Sequence, residues 1–146
     1  MSSSGKEGDR EGKLAIDVME TILDSIPTTG LPVPNRMGMD AAIVRAQSEK
    51  IFCFSRVVFG LENQSAFNDV FSNLENRASE LGKIIVIDPV VLFPTGTSSQ
   101  EIGQVVLQIA EAAKSHGIIV GKGHTEITSK VNVSTLIATV LGSLRA

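Results

Sequence analysis

The densest group of chemically active side chains lies in residues 121–128, whose sequence is GKGHTEIT. Its glycines let a backbone approach a ligand closely, and its Lys, His, Thr and Glu side chains supply hydrogen-bond donors and acceptors. The segment follows the apolar run 118–120, which predicts a short strand. Two interpretations stay open. The segment is either a loop that binds phosphate or another anion through backbone N–H groups and Lys122, or an ordinary connection between strands.

Known phosphate-binding patterns do not settle the matter. The segment lacks the spacing GxxxxGK[ST] of a P-loop, and Gly121 and Gly123 lack the third glycine of a dinucleotide-binding fingerprint. His124, taken by itself, is compatible with a structural role as well as with a chemical one.

Two aspartates are the acidic candidates. Asp40 stands at the start of a predicted strand, where a turn or cap role explains it, and Asp69 stands early in a predicted helix, where the helix dipole explains it. The functional alternative brings both carboxylates together as ligands of Mg²⁺ carrying a nucleotide phosphate. Cys53 lies in an apolar run and is predicted to pack in the core, and His116 is predicted to favour the negative end of a helix.

Apolar spacing predicts the element order α-β-β-α-β-α-β-β. The helices carry apolar stripes over residues 15–26, 67–81 and 102–113, the second closed by Gly82 and the third opened by a capping box of Ser98 and Glu101. The predicted strands are residues 41–45, 50–59, 84–93, 118–120 and 131–141, with a bulge or an edge position at Pro89. Residues 1–13 are predicted to be a disordered tail, and residues 14–146 one domain.

Composition excludes several classes of protein. The chain has 146 residues, 42% apolar and 20% charged, with a net charge of -3, which argues against nucleic acid and anionic membranes as partners. No apolar run approaches the roughly 20 residues that span a bilayer. The single cysteine excludes an intrachain disulfide and favours a cytoplasmic location.

Four segments, in order along the chain, carry a family resemblance. They are residues 38–44 (GMDAAIV), the pair Asn68-Asp69, residues 92–97 (LFPTGT) and residues 123–128 (GHTEIT). Over residues 37–142 the chain resembles the N-terminal domain of the aminoimidazole-ribonucleotide-synthetase-like superfamily, whose members include hydrogenase maturation factors and thiamine-monophosphate kinase. Within this superfamily it looks most like the archaeal hydrogenase-maturation-like proteins.

The resemblance implies an α/β domain of the α+β type, with a mixed sheet whose strands pair with those of a second copy in a homodimer. It implies ATP and Mg²⁺ as cofactors, with Asp40 and Asp69 as metal ligands. It implies that His124 and Glu126 orient the acceptor of a phosphoryl group. The nucleotide contacts that it implies are Asn68, Gly121, Gly123 and Thr125. Lys122 and Arg56 are added as cations that would neutralise phosphate charge.

Departures from the family pattern limit the expected activity. Ser55-Arg56 stands where the family has a Thr-Asp pair, Lys122 replaces a glycine, and the family's C-terminal domain has no counterpart. We therefore expect a nucleotide- or phosphate-binding domain that acts with a separate partner chain supplying the second half. Whether it is an enzyme stays open. The alternative is a non-catalytic dimeric scaffold or regulatory protein of the same superfamily.

Overall fold

In the computed structural model, the described residues are 12–13, 16–24, 50–61 and 66–145. Their elements are β1 (Gly12–Lys13), α1 (Ile16–Asp24), β2 (Ile51–Phe59), α2 (Ala66–Ala78), β3 (Gly82–Pro94), α3 (Ser99–Ser115), β4 (Ile119–Val120), β5 (His124–Thr128) and β6 (Thr135–Leu144). The predicted strand at 41–45, the loop before it and Asp40 lie outside the described residues.

The strands form one mixed sheet in the order β1-β5-β3-β6-β2, with β4 also paired to β3. β2 and β3 are both antiparallel to β6 and are therefore parallel to each other, and β3 is parallel to β4 and β5. Both β-α-β units thus join parallel strands, as the order of elements predicts. β1 pairs with β5 at the end of the segment that is predicted to be a disordered tail.

One face of the sheet packs against the helices and forms the core. Fully buried side chains come from α2, from α3 and from the sheet, among them Phe71, Leu74, Ile102, Ile109, Ile87, Phe93, Leu136 and Val140. Burying one such side chain contributes about 1.5–3 kcal/mol, so this layer is the main source of stability. We call this side of the sheet the packed face.

The start of α3 has the predicted capping box. The Ser98 side chain accepts from the backbone N–H of Glu101, and the Glu101 carboxylate accepts from the backbone N–H of Ser98 at 2.8 Å. The backbone and hydroxyl hydrogen bonds from Ser98 hold the pKa of Glu101 below its ordinary value. The glycine predicted to follow this helix, Gly117, has a φ of 68°, which suits a helix C-terminus.

The end of α2 differs from the prediction. The helix ends at Ala78, and Leu81 is 44% exposed instead of completing the apolar stripe. Gly82 is the first residue of β3, where a Cβ atom would lie 2.0 Å from the carbonyl oxygen of Ser143. The glycine is therefore needed for the close approach of β6 and not for ending the helix.

The other side of the sheet, which we call the open face, is not covered by any described helix. It carries the alternate side chains of the strands: Ile51, Cys53, Ser55, Val57 and Phe59 of β2, Asp88, Val90 and Leu92 of β3, His124 and Glu126 of β5, and Ile137, Thr139 and Leu141 of β6. Phe59 is 71% exposed and Val57 is 47% exposed. The prediction that Cys53 packs in the core was wrong, because this residue is exposed on the open face.

A transmembrane role finds no support in the helices. Within the described part of the chain, none of them is both long and apolar enough to cross a bilayer.

Candidate functional site

The glycine-rich stretch forms a bulge in a strand. β4 and β5 run along the same side of β3, with Val120 opposite Ile87 and His124 opposite Val90. Between these pairs, residues 121–123 face only residues 88 and 89, so this strand carries one residue more than β3. The prediction of a loop was therefore wrong for His124–Thr128, which is strand β5.

The bulge depends on particular residues of both strands. Gly123 has a φ of 70°, and a Cβ atom there would lie 3.1 Å from the carbonyl oxygen of Pro89. The prediction of a bulge or an edge at Pro89 was right about an irregularity but wrong about its place. β3 is central and continues through Pro89, and the extra residue lies on the neighbouring strand.

Asp88 fixes this bulge and was missed by the sequence analysis. Its Oδ1 accepts the N–H of Gly123 at 2.5 Å, while the N–H of Gly121 donates to the carbonyl oxygen of Ile87 at 2.7 Å. Both glycine N–H groups are thus already bonded, which removes them as the anion donors that the loop interpretation needs. The available signal was that Asp88 is the only charged residue in the apolar run 84–93.

His124 and Glu126 form a pair on the open face. His124 Nε2 lies 3.1 Å from Glu126 Oε2, and the two side chains are 39% and 42% exposed. A carboxylate bonded to one ring nitrogen fixes the orientation of the imidazole. The pair can therefore hydrogen-bond a ligand that lies on this face. Lys122, half-buried in the bulge, precedes it by two residues.

The other predicted contacts lie toward the helices. Thr125 is opposite Val91, on the packed face of β5. Asn68 and Asp69 are exposed in the first turn of α2. Arg56 is half-buried on the packed face of β2 and donates through Nη1 to Asn73 Oδ1 of α2.

The structure therefore divides the predicted site between two sides of one sheet. His124 and Glu126 lie on the open face, two and four residues after Lys122 of the bulge, while Arg56 and Asp69 lie on the helix side. Within the described residues, no group of three or more His, Cys, Asp or Glu residues is arranged to hold a metal ion. Asp69 offers one exposed carboxylate, and Asp40 lies outside the described residues, so the described part alone does not fit a complete Mg²⁺ site.

A polar row crosses the centre of the open face. Ser55 Oγ and Thr139 Oγ1 lie 2.8 Å apart on adjacent strands, and Thr139 is opposite Asp88 in register. The residues on either side of this row along the strands are mostly apolar, such as Val57 and Leu141. This row continues the polar character of the bulge across three strands.

Comparison with known proteins finds likeness in structure and not in sequence. No family model matches the chain, and no curated protein matches it. The solved structures that it resembles include the hydrogenase maturation protein HypE from E. coli, with a TM-score of 0.67 and 11% identity over 88% of this chain and 42% of that chain. A second is HypE in complex with ATP, with a TM-score of 0.59 and 16% identity over 86% of this chain and 38% of that one.

A third similar structure is thiamine-monophosphate kinase from Stenotrophomonas maltophilia K279a, with a TM-score of 0.58 and 15% identity over 90% of this chain and 42% of that chain. The chain thus spans about two fifths of the length of the structures that it matches. The matched part is their N-terminal region, and these proteins belong to the aminoimidazole-ribonucleotide-synthetase-like superfamily. The likeness therefore confirms the predicted fold: this chain has the fold of the N-terminal domain of that superfamily.

Proposed function

We propose that this chain is a nucleotide-binding domain that holds ATP at the open face, beside the bulge of residues 121–123. The observation that carries the proposal is the position of the His124–Glu126 pair, which directly follows the bulge and faces away from the core. The fold likeness to HypE in complex with ATP supports a nucleotide as the ligand.

The residues of the open face divide the work of binding. Lys122 supplies a cation for the phosphates, and the imidazole of His124 supplies a second donor whose orientation Glu126 fixes. Asp88 holds the bulge through Gly123 and so positions both. Because the N–H groups of Gly121 and Gly123 are bonded within the sheet, side chains and not these amides carry the phosphate contacts.

Mg²⁺ belongs to the proposal as the ion that accompanies ATP. This ion keeps several waters in nucleotide sites and takes only one or two protein carboxylates. Asp40 stays a proposed ligand of this ion. Asp69, Asn68, Thr125 and Arg56 lie on the helix side of the sheet, so the proposal does not use them to hold a nucleotide at the open face. When bound, the ion would neutralise phosphate charge.

A homodimer is part of the same proposal. The open face exposes Phe59 and Val57 side by side, and Ile51 at the other end of β2, which is the last strand of the described sheet. Exposed apolar side chains of this kind are typical of protein interfaces. A second copy that lays its own open face against this one would cover these side chains through a two-fold interface. A further partner chain is supported by the likeness to a HypE–HypF complex, which has a TM-score of 0.55 at 18% identity.

One observation favours the alternative of a non-catalytic scaffold. Arg56 stands on the packed face and is bonded to Asn73, so it does not adjoin the His124–Glu126 pair. A site that transfers a phosphoryl group needs its charged groups to converge on one point. Nucleotide binding without phosphoryl transfer, or dimerisation alone, does not require the charged groups to converge on one point.

Calorimetric titration of the protein with Mg²⁺-ATP tests the proposal. We expect wild type to bind, and His124→Ala to bind about tenfold more weakly, because a hydrogen bond to a charged group is lost. Glu126→Gln should weaken binding less, and Glu111→Gln, an exposed carboxylate on α3, should leave it unchanged. Absence of heat at millimolar nucleotide in wild type would reject nucleotide binding and leave the scaffold.

A further inference from the structure

Two arginines meet at one amide on the helix side of the sheet. Arg56 Nη1 and Arg77 Nε both donate to Asn73 Oδ1, the second at 3.2 Å. The ion pairs between described residues are His116 with Glu75 and His124 with Glu126, so no described carboxylate pairs with either guanidinium. We call Arg56, Asn73 and Arg77 the two-arginine cluster.

The position of Arg56 makes this arrangement unusual. Its neighbours on the same face of β2 are Phe54 and Val58, which pack against the core, and Arg56 itself is half-buried. A cation that loses part of its hydration in such a place is normally compensated by an opposite charge. Its described partner is instead a neutral amide, and that amide is shared with a second cation. The cluster thus concentrates positive charge without a described counter-charge.

The cluster has the chemistry of an oxyanion site. A guanidinium carries five N–H donors in a rigid fork, and the bonds to Asn73 use one from each arginine. The remaining donors suit the bidentate geometry that arginine forms with phosphate oxygens. Arg77 and Asn73 are exposed on α2, so a ligand can reach the cluster from solvent.

From these contacts we infer that the two-arginine cluster binds a phosphoryl group, at a site separate from the open face. The sheet lies between this cluster and His124, because Arg56 is on the packed face while His124 is on the open face. The inference therefore does not depend on nucleotide binding beside the bulge. The phosphoryl group belongs either to a nucleotide or to a small phosphorylated compound, and both present the same oxygens.

Titration with inorganic phosphate, at constant ionic strength maintained with chloride, tests the inference. Calorimetry measures the affinity for phosphate, and the NMR resonances of the arginine Nε–H groups show where phosphate binds. We expect saturable binding by wild type in the millimolar range and a shift of the Arg77 resonance. Arg77→Gln should bind phosphate at least about tenfold more weakly than wild type does, because charge-assisted hydrogen bonds are lost. Lys114→Gln removes one exposed positive charge from α3 and should bind as wild type does.

Arg77 is the better position for the test because it is exposed, whereas Arg56→Gln alters the packed face as well. No saturable binding by wild type, or equal binding by Arg77→Gln and wild type, would overturn the inference. His124→Ala should keep phosphate binding even where it loses ATP, which separates this site from the proposed nucleotide site.

A further arm of the experiment identifies the source of the phosphoryl group. If ATP displaces phosphate, and if Arg77→Gln also lowers the affinity for ATP, the cluster holds nucleotide phosphates. If Arg77→Gln lowers the affinity for phosphate and leaves the affinity for ATP unchanged, the cluster holds a separate phosphorylated compound. Either result supports the site, whereas phosphate binding that depends on His124 and not on Arg77 contradicts it.

Discussion

The packed face and the open face are built by the same strands but have different compositions. On the packed face, β6 contributes Leu136, Ala138 and Val140, all fully buried against the helix layer. On the open face, the same strand contributes Ile137, Thr139 and Leu141, which lie beside charged and hydroxyl side chains of the neighbouring strands. The comparison indicates that one side of the sheet provides stability, whereas the other side carries polar and partly exposed side chains.

The largest expected difference between the faces concerns folding stability. Phe71 of α2 is completely buried and stacks on His116, with ring centroids 5.8 Å apart. Phe71→Ala should lower the free energy of unfolding by about 3–5 kcal/mol, since it leaves a cavity in the core. Phe59→Ala should change it by only about 0.5 kcal/mol at protein concentrations where the chain is monomeric. Urea denaturation of both variants measures the contrast, and equal losses would mean that Phe59 is covered within the monomer.

A smaller effect is expected on self-association. Phe59→Asp places a charge in the interface proposed for the open face and should weaken a dimer about thirtyfold or more, because an unpaired charge would be buried there. Ile16→Asp is the matched control, as Ile16 is 66% exposed on α1. Sedimentation equilibrium gives the dissociation constants. Should both variants associate as wild type does, the open face is not the interface.

The smallest effect separates two glycines. Gly123→Ala should destabilise the protein by about 1–2 kcal/mol, because a side chain is strained at positive φ and its Cβ would crowd Pro89. Gly103→Ala, inside α3 with its nearest contact at 3.9 Å, should be neutral or stabilising by up to about 1 kcal/mol. Thermal unfolding compares them. A loss at Gly103 as large as that at Gly123 would contradict this account, because Gly103 has neither a positive φ nor a close contact.

Local signals in the sequence predicted much of the packed face. The capping box of Ser98 and Glu101, the apolar stripe of α2 and the run that becomes β3 all depend on residues close in the chain. Such patterns specify helices and buried strands without knowledge of the partner strands. For this reason the α/β class and the order from β2 to β4 could be predicted, whereas β1 and β5 were not predicted as strands.

The open face was harder to predict because it depends on contacts between distant residues. His124–Thr128 contains one aliphatic residue in five and becomes a strand because β3 pairs with it. Cys53 lies in a run that is apolar on both sides, so alternation alone could not show which side faces the helices. The hydrogen bond that the N–H of Gly123 donates to Asp88 joins residues 35 positions apart.

The extra residue in the bulge also sets which side chains of β5 are hidden. Val120 is opposite Ile87 on the packed face, and regular pairing from there would put His124 opposite Val91, beneath the helices. The one extra residue in the bulge reverses which side chains of β5 face the helices. As a result, Ile127 lies in the core and His124 lies on the open face. A deletion of a single residue at this point would exchange the two sets, burying a histidine and a carboxylate and exposing an isoleucine. The number of residues here, as much as their types, determines that the polar side chains of this strand lie on the open face.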